Sequence, residues 1–153
     1  MLPNPYDPWL RTDLTPREKT VLRFTNEVLH GDNDALINEV VSPDYVQHTH
    51  GIGQGRQGLR NYLRQIAWKR PGRRDWRPIQ IFAAGDFVIL HKLLPAVVIA
   101  DFFKFDPSGT LLVEHWDVVQ PLPEADYDPL RPSEEEFSRF YKLFNLQNDV
   151  GER

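Results

Sequence analysis

DFVILHKLLPAVVIADFFKF, Asp86 to Phe105, reads as two runs of β-branched, aliphatic and aromatic residues broken at Pro95. Runs of this composition bounded by turn residues predict strands. The same composition precedes the stretch in WRPIQIFAA (76–84), across a Gly85-Asp86 turn, and follows it in LLVEHWDVVQ (111–120), across the turn DPSG (106–109). Four such segments in close succession, joined by short turns, predict an antiparallel meander.

The chain upstream has a different period. TPREKTVLRFTNEVLHGD offers Thr15 as a cap, proline at the first helical position, a glutamate in the first turn and a stop at Gly31. Val21, Phe24, Val28 and Leu29 recur at helical spacing, which predicts an amphipathic helix. NDALINEVV predicts a shorter helix ending before Ser42-Pro43, and GLRNYLRQIAWKR a third, with Leu59, Tyr62, Leu63 and Ile66 on one face. DYVQHTHGIGQGRQG, between them, is read as irregular. Helices followed by a meander give an α+β class, with the helices gathered on one face of a curved sheet.

With 153 residues the chain is read as one domain, large enough to bury roughly 70% of its unfolded surface. Residues 1–15, with three prolines, are expected to form an arm lying on the domain or on a neighbouring subunit. Residues 125–153 are expected to form a partly helical extension, with Ser133 as a cap. The net charge of −4 and the pI of about 5.7 argue against nucleic-acid or membrane-surface partners. A basic loop, KRPGRRDWR (69–77), is the local exception, read as a solvated turn or a phosphate or carrier-protein contact. The absence of cysteine excludes disulfides and thiolate chemistry. No run of about eighteen apolar residues and no signal-like start is present, so a soluble cytoplasmic protein is expected.

Four ionisable residues interrupt the strand-like segments: His91, Asp101, His115 and Asp117. Asp101 sits between AVVIA and FF, where a carboxylate is costly unless paired. His115 and Asp117, two apart, share one face of a strand. Each residue alone could be a satisfied core group, whereas together they form a candidate acid/base cluster. His48 and His50 in QHTHG raise a metal reading with a third imidazole and a carboxylate, but the glutamate of a cupin-type motif does not follow. GIGQGRQG does not link a strand to a helix in a βαβ unit, so it is no dinucleotide loop.

YVQHTHGIGQGRQGLRNYL, followed by DFVILHK and VVIADFFKFDPSGTLLVEHWDVVQPLPE, resembles the SnoaL-like polyketide cyclase family of the nuclear transport factor 2-like superfamily. That family carries a Q-H pair, a histidine on a central strand, a D-x-F-R strand and E-H-W-D-V-x-Q. The resemblance covers roughly residues 17 to 124. It implies a cone-shaped α+β barrel enclosing one pocket, with N-terminal helices in the concave face of a curved antiparallel sheet, commonly a homodimer through that sheet. It places Asp117 near the acid/base carboxylate of the cyclases and of limonene epoxide hydrolase, Asp101 at that hydrolase's second acid, and His48 near an amide that positions water. Two positions depart from the pattern. Ile99 replaces the arginine that bridges the hydrolase's two acids, and Lys104 replaces the arginine after D-x-F, losing its bidentate fork.

A cofactor-independent and metal-free acid/base enzyme is therefore expected, of cyclase, isomerase or dehydratase type, acting on an apolar polyketide- or terpenoid-like molecule. Asp117 would move the proton and His115 or His91 would hold its charge state and bind the enolate oxygen. Asp101 would be a second acid or orienting partner, and His48 would stand at the mouth. Trp68, Phe87, Ile89, Ile99, Phe103 and Val113 are candidates for the apolar wall. The alternatives are a noncatalytic ligand-binding homodimer, an epoxide hydrolase-type enzyme and a metal-dependent oxygenase. The turn before EHWD is one residue longer than the family pattern. A bulge would absorb the extra residue, and a register slip would instead turn Glu114 and Trp116 inward.

Overall fold

The computed structural model describes residues 6–122. A 3₁₀ turn, Pro8–Leu10, lies against the domain, where Trp9 meets Trp76 edge-on and Arg11 donates to the Ile81 carbonyl at 2.8 Å. Residues 1–5 and the expected C-terminal extension, with its Ser133 cap, lie outside the described residues.

Helix α1, Pro16–Phe24, opens on a reciprocal cap: Thr15 Oγ1 accepts from the Glu18 backbone N–H, and Glu18 Oε2 accepts from that of Thr15. It continues as a wider π turn through Thr25–Leu29. Helix α2 is Asp34–Val40, strand β1 Val41–Gln47 and helix α3 Gly55–Gln65; then come β2 Arg77–Ala84, β3 Phe87–Leu93, β4 Val97–Phe105 and β5 Leu112–Pro121. Val21, Phe24, Val28, Leu59 and Leu63 are buried against the concave face of the sheet, where Phe24 meets Phe103 edge-on.

The fold class is α+β as expected. The sheet, in order β1-β5-β4-β3-β2, is mixed and open rather than wholly antiparallel and closed. The difference is β1, which lies in a stretch expected to be irregular and pairs parallel with β5. Pro43 and the glycines after it hide the strand in the sequence, whereas Val41, Tyr45 and Gln47 point inward and give it a buried face.

Two glycines of GIGQGRQG, Gly53 and Gly58, serve packing. A Cβ on Gly58 would fall 2.1 Å from the Gly53 carbonyl carbon, so the loop closes on the start of α3 only without side chains there. That closure brings Gln54 beside β1. Its side-chain amide accepts from the Gln47 N–H at 2.8 Å and donates to the Gln47 carbonyl at 2.7 Å, standing in for a neighbouring strand.

Candidate active site

Register decides which side chains meet. In the β4/β5 ladder Lys104 pairs with Glu114, but Phe105 pairs with Leu112, so Val113 is the extra residue of a bulge. The bulge absorbs the long turn: His115 and Asp117 remain on the concave side, and Leu112 rather than Val113 enters the core. Glu114 and Trp116 face outward. Asp101 pairs directly with Asp117, which brings two carboxylates side by side on the concave face.

Asp101 is fully enclosed. Its Oδ1 lies 2.9 Å from His115 Nε2 and its Oδ2 2.8 Å from Lys92 Nζ. The lysine approaches Oδ2 outside good hydrogen-bond angles, so the contact is an ion pair rather than a directed bond. Burial alone would push the Asp101 carboxyl up, but the Lys92 ammonium and the His115 hydrogen bond outweigh it and hold it well below the usual carboxylate range. Lys92 is itself buried.

His115 is held at both nitrogens. Its Nδ1 lies 2.9 Å from Gln47 Oε1, an oxygen that also accepts from the Thr49 N–H at 2.9 Å, and 3.5 Å from Thr49 Oγ1. Each ring nitrogen thus faces an oxygen, so the ring is fixed from both sides. Gln47, fixed by Gln54, so determines the ring's orientation. Tyr45 lies fully buried nearby, its hydroxyl pushed up by burial and by the negative charges of Asp101 and Asp117.

Asp117 differs from Asp101. It is half-buried, and among the described residues it makes no hydrogen bond or ion pair. Both carboxylates line a cavity of about 460 Å³ between the helices and the sheet. Ile99, Phe103, Leu59 and Leu63 supply apolar wall, and residues 70–73 and 94–97 border it. Cavities of this size and mixed character are typical small-molecule sites.

Of the residues expected from sequence, Asp101, His115, Asp117, Ile99 and Phe103 meet at this cavity. The others lie elsewhere. His91 alternates with Lys92 on β3 and occupies the opposite face, beside Ala100. Burial lowers its imidazole pKa. Phe87 and Ile89 share that outer face, with Phe87 packed on Trp116. His48 is also outside the cavity: its ring stacks on Trp116 at 4.5 Å and its Nε2 lies 2.7 Å from Glu114 Oε1. Trp68 is packed against the core and donates Nε1–H to the Val28 carbonyl at 2.7 Å.

Sequence reasoning missed Lys92, Gln47 and His30. Lys92 carried a signal, a lysine inside an apolar run with alternating facing. His30 lines the cavity, stacks on Trp76 and is lowered to about 3, chiefly by burial and then by the Lys92 charge. Among the described residues the grouping that could hold a metal is Asp101, His115 and Asp117, not the His48, His50 and His91 set. The donor set fits a cation poorly, because the Lys92 ammonium already occupies the cationic position beside Asp101 and His115 Nε2 is turned to that same carboxylate.

No protein-family model and no curated protein matches the chain. Solved structures do. A proposed polyketide cyclase from Acidithiobacillus ferrooxidans superposes with a TM-score of 0.58 at 16% identity, over 72% of this chain and 92% of that one. A proposed SnoaL-like polyketide cyclase from Jannaschia sp. CCS1 gives 0.55 at 18% identity, over 72% and 92%. An NTF-2 like protein of unknown function from Burkholderia xenovorans LB400 gives 0.54 at 16% identity, over 71% and 85%. The chain therefore has the NTF2-like α+β fold. Among the described residues no helix is long and apolar enough to cross a membrane.

Proposed function

We propose that the protein is a cofactor-independent acid/base enzyme of the SnoaL-like cyclase type, acting on an apolar, carbonyl-bearing small molecule. The observation that carries this reading is the unequal pair of carboxylates on one cavity wall: Asp101 locked by Lys92 and His115, Asp117 unengaged. A pair whose environments differ this way divides into a fixed charge and a mobile proton carrier.

Asp117 removes a proton from a carbon next to the substrate carbonyl. The electron pair moves to the carbonyl oxygen, giving an enolate. Lys92, ion-paired with Asp101 without a directed hydrogen bond, offers its N–H groups to that oxygen and stabilises the developing charge. The enolate carbon attacks a second carbonyl or is reprotonated, and Asp117 returns its proton to the resulting alkoxide or carbon. Asp101 and His115 act as positioning residues: the ring, held at both nitrogens, is not free to shuttle protons, so Lys92, rather than His115 or His91, binds the enolate oxygen. Among alternatives, an epoxide hydrolase relay has less support, since the group between the strands is a lysine on Asp101 alone and Ile99 stands where a bridging arginine would be needed.

We also propose a second copy of this chain as the partner, seated on the outer sheet face. Phe82, Ile89, Phe102 and Trp116 form one cross-strand row there, Phe82 exposed and the other three half-buried, and Val118 beside the row is 64% exposed. Exposed apolar rows of this kind mark interaction surfaces. Trp116→Glu should convert a dimer to a monomer in light scattering, and a monomeric wild type would contradict it.

The enzymatic reading is tested with 2-tetralone, a bicyclic ketone with acidic protons beside its carbonyl. In D₂O the wild type should catalyse deuterium exchange at those carbons. Asp117→Asn should remove that exchange while ketone affinity stays within a few-fold. Ketone binding by the wild type with no exchange above the uncatalysed rate would assign the cavity to a noncatalytic ligand-binding protein instead.

A further inference from the structure

The cavity has chemically opposite ends. Its inner end, at Asp101, His115 and Asp117, contains buried groups. Its outer end is bordered by Arg70, Pro71 and Ala96, all exposed, from the loop after α3 and the β3/β4 hairpin. Asp101 lies four positions along β4 from Val97 at its outer end, a depth of about 13 Å at the usual strand rise.

Three long cationic side chains line this space: Lys92, Arg73 and Arg70. Two are engaged. Lys92 is paired with Asp101 at 2.8 Å. Arg73 donates to the Gly31 carbonyl at 3.4 Å and lies 3.8 Å from Asp32, which Arg74 also contacts at 3.1 Å. Arg70 is different. Its guanidinium lies over the Tyr62 ring, 5.9 Å from the centroid, and meets no carboxylate among the described residues. The aromatic face orients the planar fork without occupying its N–H donors.

From this polarity we infer that Arg70 is a specificity-determining residue that holds a carboxylate of the substrate at the cavity mouth, so that the substrate class is an apolar ring acid entering ring first. The inner end disfavours the reverse orientation, because its lysine is already neutralised by Asp101 and Asp117 presents an unpaired negative charge. The apolar wall of Leu59, Leu63, Ile99 and Phe103 takes the ring system, and the depth brings the far end of a three-ring body to Asp117. The inference rests on the reading of Asp117 as the reacting group, but its test does not require turnover.

The probe pair is anthracene-2-carboxylate and its methyl ester, both fluorescent, titrated at pH 8 where the acid is ionised. The wild type should bind the acid about tenfold tighter than the ester, the ratio of one charge-assisted contact at a partly exposed site. Arg70→Gln should bring that ratio to about one, Arg70→Lys should restore part of it, and Arg74→Gln, which changes the loop charge equally but lies outside the cavity, should leave it unchanged. Raising salt should weaken only the acid. Equal wild-type binding of acid and ester, a preference that survives Arg70→Gln, or an equal loss in Arg74→Gln would each overturn the inference. Such an outcome beside intact Asp117-dependent exchange would remove the orientation and leave the proton chemistry. A normal acid preference beside absent exchange would do the reverse.

Discussion

The two faces of the sheet carry the same three kinds of ionisable group, an ammonium, a carboxylate and an imidazole, in the same kind of contact. Inside, Lys92, Asp101 and His115 form a lysine–carboxylate–histidine set with contacts of 2.8 and 2.9 Å. Outside, Lys104, Glu114 and His48 form another, at 3.6 and 2.7 Å. Their side-chain exposures separate them: 4%, 4% and 7% inside, against 39%, 24% and 40% outside. Charge in water is screened and mobile, so the outer set contributes little. Charge in the low-dielectric interior is fixed in state and orientation, and can act on a ligand. Residue type alone does not make a site; burial on a cavity wall does.

The comparison is broken most strongly by removing the lysines in turn. Lys92→Met leaves Asp101 buried without its ammonium partner and with His115 alone beside it, with an expected loss of about 3–5 kcal/mol in denaturant unfolding. Lys104→Met should cost roughly 0–1 kcal/mol. Equal effects would mean that the inner pair is not what enforces the arrangement.

Acid should separate the faces next. His30 titrates at 6.5 when unfolded and about 3 when folded, so the folded state binds its proton less readily. Stability from this group is present above about pH 6.5 and is lost as pH falls towards 3, at about 1.4 kcal/mol per pH unit while the difference persists. Asp101 adds a second loss lower down, because its folded value is depressed: its contribution is present above about pH 4 and disappears as pH falls further. His30→Phe, which keeps a ring against Trp76, should flatten the upper slope and leave the lower one. A slope unchanged in this variant would place the acid sensitivity elsewhere.

The smallest effect belongs to the outer histidine. His48→Ala removes a stacked ring and an exposed hydrogen bond to Glu114, and should lower stability by about 1 kcal/mol or less without changing binding in the cavity. A large change in ligand affinity would return His48 to the site.

The sequence revealed the meander, α1 and its cap through composition and period, which are local properties. Asp101, His115 and Asp117 stood out because a carboxylate in an apolar run must be compensated. Facing was harder. His91 and Lys92 are adjacent, and only pairing of Leu90 with Asp101 determines which of them points inward. The bulge at Val113 likewise becomes definite only when β4 is laid beside β5. Strand β1 was invisible because its partner, β5, is about 70 residues away and its inward residues include Tyr45 and Gln47, which do not form an apolar pattern. Gln47 has meaning only through Gln54 and His115, contacts made by tertiary closure.

The central claim is that the concave face holds the chemistry and that Asp117 is its mobile proton carrier. Deuterium exchange into 2-tetralone, compared between Asp117→Asn and the outer-face variant Glu114→Gln, tests it most directly. Exchange should fall by about 100- to 10,000-fold in Asp117→Asn and remain at the wild-type rate in Glu114→Gln. Wild-type exchange in Asp117→Asn, or loss in Glu114→Gln alone, would contradict the account.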